Sequence, residues 1–359
     1  MVVGVSGTEL TGLERAWLKL IRPAGVILFR RNIDNAKQTR ALLAHAAEVC
    51  APHSLRCVDV EGGTVDRLRD ALAPMPSAQA VFISAHATAE PAQMRQHGEL
   101  VARGVRAFGF NTTLAPVLDL ALPASASVMG TRVVSANPKL VAAYCGQFLA
   151  GLAMHKVVGC GKHFPGLGGG SLDSHLATPS IDRTMRELTN DDLYPYCELR
   201  DQLPMIMVNH AAYPRTPSHD RPASISKYWV TTVLRKRIGY RGLIFSDDLE
   251  MGGVLNFLPI EEAAIAAISA GMNLIEICHS PELILRAFEA LIAEAERSVA
   301  FRTLLMGQSR QSAKLRAQHF ATTTPPALSA KQFTALKNEI NRFSATVSRH
   351  QPKAEAGAK

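Results

Sequence analysis

The chain has 359 residues, 47% of them hydrophobic and 19% charged, enough for one sizeable core. No apolar run nears the roughly 20 residues that cross a bilayer, and MVVGVSGTEL lacks the basic start and apolar stretch of a secretory signal, so a membrane span is excluded and a cytoplasmic protein is expected. The net charge of +8 resides in residues 299–359, where ten Lys or Arg face only Glu339 and Glu355; the rest of the chain holds 29 basic and 29 acidic side chains, and such a neutral body argues against a nucleic-acid partner.

In chain order, the apolar runs that read as strands are residues 2–6, 25–29, 55–61, 113–120, 157–164, 205–209, 242–248 and 273–278. Several are continuous Val/Ile/Leu runs, the pattern of strands covered on both faces in a parallel sheet. Helical spacing fills the gaps. Asn137 and Pro138 read as an N-cap and first helical residue, Ser226 as a cap for the segment after it, Gly271 as the end of a helix over 261–270, and Ser280 as the cap of another. Eight strands with helices between them over about 300 residues predict a single (β/α)₈ barrel of the TIM type. No GxGxxG follows an early strand, which weakens an open doubly wound sheet. The expected division is a catalytic barrel over residues 1–300 and a basic extension over 301–359, partly helical, with its end expected to be disordered. The six cysteines are scattered without a CxxC pair and read as buried free thiols in a reducing compartment.

Enzymes of this architecture build their sites at the C-terminal ends of the strands. Those positions hold Arg30, Arg31, Asn32, Asp59, Glu61, Asp119, Lys162, His163, Asn209, His210, Asp247, Asp248, Glu276, Cys278 and His279. Asp119 reads as readily as a satisfied structural carboxylate. A metal site drawn from His163, Asp173, His175, His210 and Asp247 has no HxH strand or HExxH helix behind it, so no metal and no cofactor is expected. Asp247 ends the rigid strand IFSDD, which suits a nucleophile held in line. His175 suits proton transfer near neutrality, and Asp173 two residues away suits an orienting partner. The glycines at 166, 168, 169 and 170 read as slack that lets this arm move.

KHFPG followed by DSH, with VDVEGG, APVLDL, PASIS and IFSDDLEM, resembles the bacterial exo-β-N-acetylglucosaminidases of glycoside hydrolase family 3, the NagZ type, from the first strand to about residue 295. The resemblance implies a metal-free barrel that removes terminal non-reducing N-acetylglucosamine from muropeptides such as GlcNAc-anhydroMurNAc in peptidoglycan recycling, with retention of configuration. It implies Asp247 as nucleophile, His175 as general acid/base and Asp173 as its partner. Asp59, Arg67, Arg132, Lys162 and His163 match the sugar-binding positions. The sequence departs from the family's pattern at Thr64, Leu167 and Asn273, and MGTRVVS lacks an aromatic after its arginine.

A phosphorylase or a β-glucosidase of the same family is the alternative, and a non-catalytic sugar-binding protein a remoter one. The only partner expected is the small-molecule glycoside. A monomer is the expected state, with a dimer left open.

Overall fold

The computed structural model describes residues 1–170, 178–320 and 326–351. Ten strands occur in chain order: β1 Val2–Gly4, β2 Gly25–Leu28, β3 Leu55–Val58, β4 Val60–Gly62, β5 Val65–Asp66, β6 Thr112–Thr113, β7 Val158–Phe164, β8 Met205–Val208, β9 Leu243–Asp248 and β10 Leu274–Ile277. β4 and β5 form a small antiparallel hairpin. The other eight close into a parallel barrel in the order β1-β2-β3-β6-β7-β8-β9-β10, with β10 paired back to β1. The eight expected strands are therefore the eight staves.

Alternation along each strand divides the apolar side chains between two compartments. Val2, Ile27, Cys57, Leu114, Cys160, Met207, Phe245 and Leu274 fill the barrel's interior. Their neighbours Val3, Val26, Val58, Ile206, Ile244 and Ile275 face the helices in a larger outer layer. The expected strand over 113–120 is reduced to Thr112–Thr113 and a single bridge between Val117 and Lys162. Pro116 has no N–H to give the ladder, so pairing lapses there.

The helix ends follow local chemistry. Asn137 and Ser280 cap Pro138–Met154 and Pro281–Arg297 through their side chains, and Gly271, at φ 112°, ends Ile260–Ala270. The segment after Ser226 differs from expectation. It winds as a π-helix, Tyr228–Arg237, preceded by Lys227 with no side-chain cap.

The basic extension is packed onto the barrel. In the helix Val299–Phe320, Phe320 joins the interior cluster at the N-terminal end of the staves, and Arg316 donates to the Pro52 carbonyl at 2.6 Å. The helix Ala330–Ser348 buries Leu336, Ile340, Phe343 and Val347, and its Glu339 pairs with Arg103 at 2.8 Å. This leaves the opposite end, where the strands finish, free for a site.

Candidate active site

At the C-terminal rim a cavity of about 170 Å³ opens into the barrel. Asp59, Arg67, Arg132, Lys162, His163 and Asp247 all line it. Six expected positions, spread over 189 residues of sequence, thus converge on one hollow. Asp173 and His175 lie outside the described residues. Gly170, which precedes that segment, also lines the cavity.

The wall formed by β3, β4 and β7 is a buried ion network. Lys162 Nζ lies 2.9 Å from Asp59 Oδ1 and 2.6 Å from Glu61 Oε1. Glu61 also accepts both prongs of the Arg132 guanidinium, at 2.8 and 2.9 Å. Burial alone would raise the Glu61 carboxyl, but Arg132 and Lys162 hold it well below the usual carboxylate range. Burial would likewise lower Lys162, and Asp59 with Glu61 reverses this and keeps the ammonium charged. Two cations thus stand fixed at the cavity wall, their charge matched by carboxylates that a ligand's hydroxyls could share.

His163 is oriented from behind. Its Nδ1 is 2.6 Å from Asp119 Oδ2, and Arg132 Nη2 is 3.3 Å from its Nε2. Arginine only donates, and Asp119 accepts from the Leu167 amide at 2.7 Å, so the arrangement selects the tautomer with its proton on Nδ1. Asp119 is not an isolated core carboxylate: it ties the histidine to the start of the following loop. Asn209 continues the frame, donating 2.9 Å to the His163 carbonyl.

Asp247 is the penultimate residue of β9 and is partly buried. Burial raises its carboxyl, but His210, His163 and Lys162 outweigh that and set it below the ordinary aspartate value. Its Oδ1 accepts the Asp248 amide at 3.0 Å. The adjacent Asp248 behaves oppositely, pushed by burial up to about 7. Of the two neighbouring carboxyls, Asp247 is the one shifted toward its anion, the form in which a carboxylate can act as a nucleophile. His210 braces the turn, with Nε2 2.8 Å from the Asp248 carbonyl and Nδ1 2.7 Å from Ser224 Oγ.

Arg67 leaves the β4–β5 hairpin beside Asp66, whose carboxylate accepts the Leu68 and Met75 amides at 3.0 Å each. Its Nε is buried without a hydrogen-bond partner among the described residues, and its guanidinium lies 5.9 Å from the Phe29 ring. Thr64 occupies the exposed hairpin turn, while Leu167 is an apolar part of the cavity wall.

The glycines after Phe164 do not supply the expected slack where they are described. Gly166, at φ 138°, packs so that a Cβ would stand 2.7 Å from Asp192 Oδ1. A Cβ at Gly168 would stand 2.6 Å from the Leu120 carbonyl. Close approach, not freedom, selects glycine at both positions.

Asp248, Glu250 and His279 place ligand atoms within 4.8 Å of one another and are the described residues best able to hold a cation. Glu250, however, already accepts the amides of Cys278, His279 and Ser280 as the chain enters Pro281–Arg297. Its geometry is explained by that turn. The apolar parts of the site, Phe29, Val65 and Met129, carry no charge pattern by which sequence reasoning could have found them.

Residues 4–302 match the glycosyl hydrolase family 3 N-terminal domain. A β-hexosaminidase of Chromobacterium violaceum is 37% identical over 285 residues, 79% of this chain and 79% of that protein. The chain belongs to glycosyl hydrolase family 3. It is a glycoside hydrolase, and the family's solved structures share its fold closely. A family 3 β-N-acetylglucosaminidase from a Paenibacillus species superposes with a TM-score of 0.85 at 26% identity, covering 96% of this chain and 67% of that one. NagZ from Neisseria gonorrhoeae, in complex with N-trifluoroacetyl-D-glucosamine, gives 0.79 at 28% identity over 96% and 97% of the two chains.

Proposed function

We propose that this family 3 hydrolase is a retaining exo-β-N-acetylglucosaminidase that releases terminal non-reducing N-acetylglucosamine from muropeptides such as GlcNAc-anhydroMurNAc, in the cytoplasm, during peptidoglycan recycling. The observation that carries this is the convergence of Asp247 with Asp59, Arg67, Arg132, Lys162 and His163 on one sugar-sized cavity. The β-hexosaminidase relatives and the bound glucosamine derivative in the Neisseria structure support the choice of sugar.

In this reading the sugar lies against the Lys162–Glu61–Arg132 wall, which takes its hydroxyls as charge-assisted partners. The Asp247 carboxylate attacks the anomeric carbon and forms a glycosyl ester as the glycosidic C–O bond breaks. By the sequence resemblance, His175 gives its proton to the departing oxygen and then takes one from the water that cleaves the ester. Asp173 orients it. Two displacements at one carbon retain configuration.

Turnover of GlcNAc-anhydroMurNAc tests the reading, with products followed by mass spectrometry in phosphate and in a neutral buffer. Free N-acetylglucosamine in both is expected. A sugar 1-phosphate appearing only in phosphate would convert the reading to phosphorolysis, and no turnover would overturn it.

A further inference from the structure

One buried polar side chain of the cavity lining takes no part in the network above. Glu276 lies on β10, flanked along the strand by Leu274 and Cys278, which with it face the barrel interior; Ile275 and Ile277 face the helices. It is 2% exposed, yet it lines the cavity with Asp59, Lys162 and Asp247. Its backbone is fully engaged: the amide donates to Ser246 Oγ at 3.0 Å and the carbonyl accepts the Leu249 amide at 2.9 Å. The carboxyl is not. Oε1 is buried without a hydrogen-bond partner among the described residues. No arginine or lysine pairs with it there, whereas Asp59 and Glu61 share Lys162.

A buried carboxyl left unpaired destabilises a fold, and an apolar residue would pack the interior of a barrel better. Satisfied core glutamates do not look like this. A polar group that is nine-tenths buried, unpaired and directed into a ligand cavity is built to meet something that arrives there.

We propose that Glu276 is a specificity-determining residue that contacts the bound sugar directly, its carboxyl hydrogen-bonding an uncharged hydroxyl within the cavity. The proposal rests on the glycosidase reading above. The surroundings say which partner fits. Asp59, Glu61 and Asp247 already crowd the cavity with acceptors, so a further carboxylate there would be repelled. Burial, reinforced by Asp248, Asp59 and Asp247, keeps the Glu276 carboxyl protonated well beyond the ordinary glutamate range. A neutral carboxylic acid both donates and accepts, which matches the one donor and two lone pairs of a hydroxyl. A substrate lacking that hydroxyl leaves the acid unpaired again, and such sites reject the deficient analogue strongly.

The test is kinetic. Aryl N-acetyl-β-glucosaminides lacking the 3-, 4- or 6-hydroxyl in turn are compared with the parent for the wild type, Glu276→Gln and Glu276→Leu. For one position the wild type is expected to lose about 100-fold or more in kcat/KM. Glu276→Gln, which still donates and accepts, is expected to keep most of that penalty. Glu276→Leu is expected to lose less than about threefold at that position, having already lost the contact, and to melt at or above the wild-type temperature. Equal penalties at all three positions in wild type and Glu276→Leu would overturn the proposal. If Glu276→Leu does not fold, Glu276→Ala takes its place, and an Ala variant whose penalties match the wild type at all three positions overturns the proposal as well. A wild type inactive on the parent glycoside would overturn the glycosidase reading beneath it, a separate and distinguishable outcome.

Discussion

Asp119 Oδ2 stands 2.6 Å from His163 Nδ1, while its other oxygen accepts the Leu167 amide at 2.7 Å. One carboxylate therefore holds the ring of a cavity-lining histidine and the first turn of the loop after β7. Asp119→Asn places an amide N–H against one of these donors and loses the charge. It is expected to lower kcat/KM on an aryl N-acetyl-β-glucosaminide by roughly tenfold to a hundredfold, from loss of a hydrogen bond to a charged group worth about 1.5–3 kcal/mol. Steady-state kinetics check this, and a loss below about threefold would leave Asp119 a packing residue.

Glu61 is the hub of the cation wall, bonded to Arg132 and Lys162 together. Glu61→Gln removes the charge both cations face and is expected to cost about 3 kcal/mol in stability. The pH dependence has a definite sign. The Glu61 carboxyl sits below its ordinary value of 4.5 in the folded protein, so its contribution is present above that pH and lost as the pH falls through the folded value. Denaturant titrations at pH 7 and pH 3 should show a gap between wild type and variant that narrows in acid.

Much of this frame is legible in the sequence, and the reasons are physical. Short continuous Val/Ile/Leu runs between helical segments fit strands covered on both faces, and the residues ending them are placed at the rim by the architecture. Asp59, Lys162 and Asp247 were locatable on that ground alone. Pairings are another matter. Nothing in the spacing says that Asp119 stands behind His163, because the contact joins residues 44 apart. Glycine is ambiguous too: slack and tight packing both require a missing Cβ, and only the proximity of Asp192 to Gly166 separates them. The charge of the extension does not by itself separate a solvated helix from a packed one. Its apolar residues Leu336, Ile340 and Phe343 recur at helical spacing and decide for packing.

Asp192 is buried beneath that loop. Arg183 Nη1 lies 3.0 Å from its Oδ2, but neither oxygen accepts a hydrogen bond among the described residues. Burial dominates and pushes the carboxyl from 3.8 up to about 7, with Arg183 opposing and Asp119 adding to the rise. The folded state therefore binds the proton more tightly than the unfolded chain. Its contribution is full below pH 3.8 and is lost as the pH rises to about 7. Asp192→Asn should flatten that decline, so that the variant gains on the wild type between pH 4.5 and 7.5 in denaturant melts.

Asn273 occupies the start of β10, where the amide is used on both sides. Its Oδ1 accepts the Ile244 amide at 2.9 Å, and its Nδ2 donates to Gln308 and Gln311 at 2.6 and 3.0 Å. An aspartate cannot donate to those glutamines. Asn273→Asp is expected to destabilise by about 1–3 kcal/mol and to loosen the helix Val299–Phe320 first. Hydrogen exchange at that helix checks it.

The most direct measurement is the site of the covalent intermediate. A slowly hydrolysed fluorinated N-acetyl-β-glucosaminyl donor is added, the protein is quenched in acid and digested, and the sugar is located by mass spectrometry. Asp247, the anionic member of the pair at the end of β9, should carry the label. A label on Asp248 or Glu276, or active turnover with no adduct and inversion of configuration, would contradict the assignment.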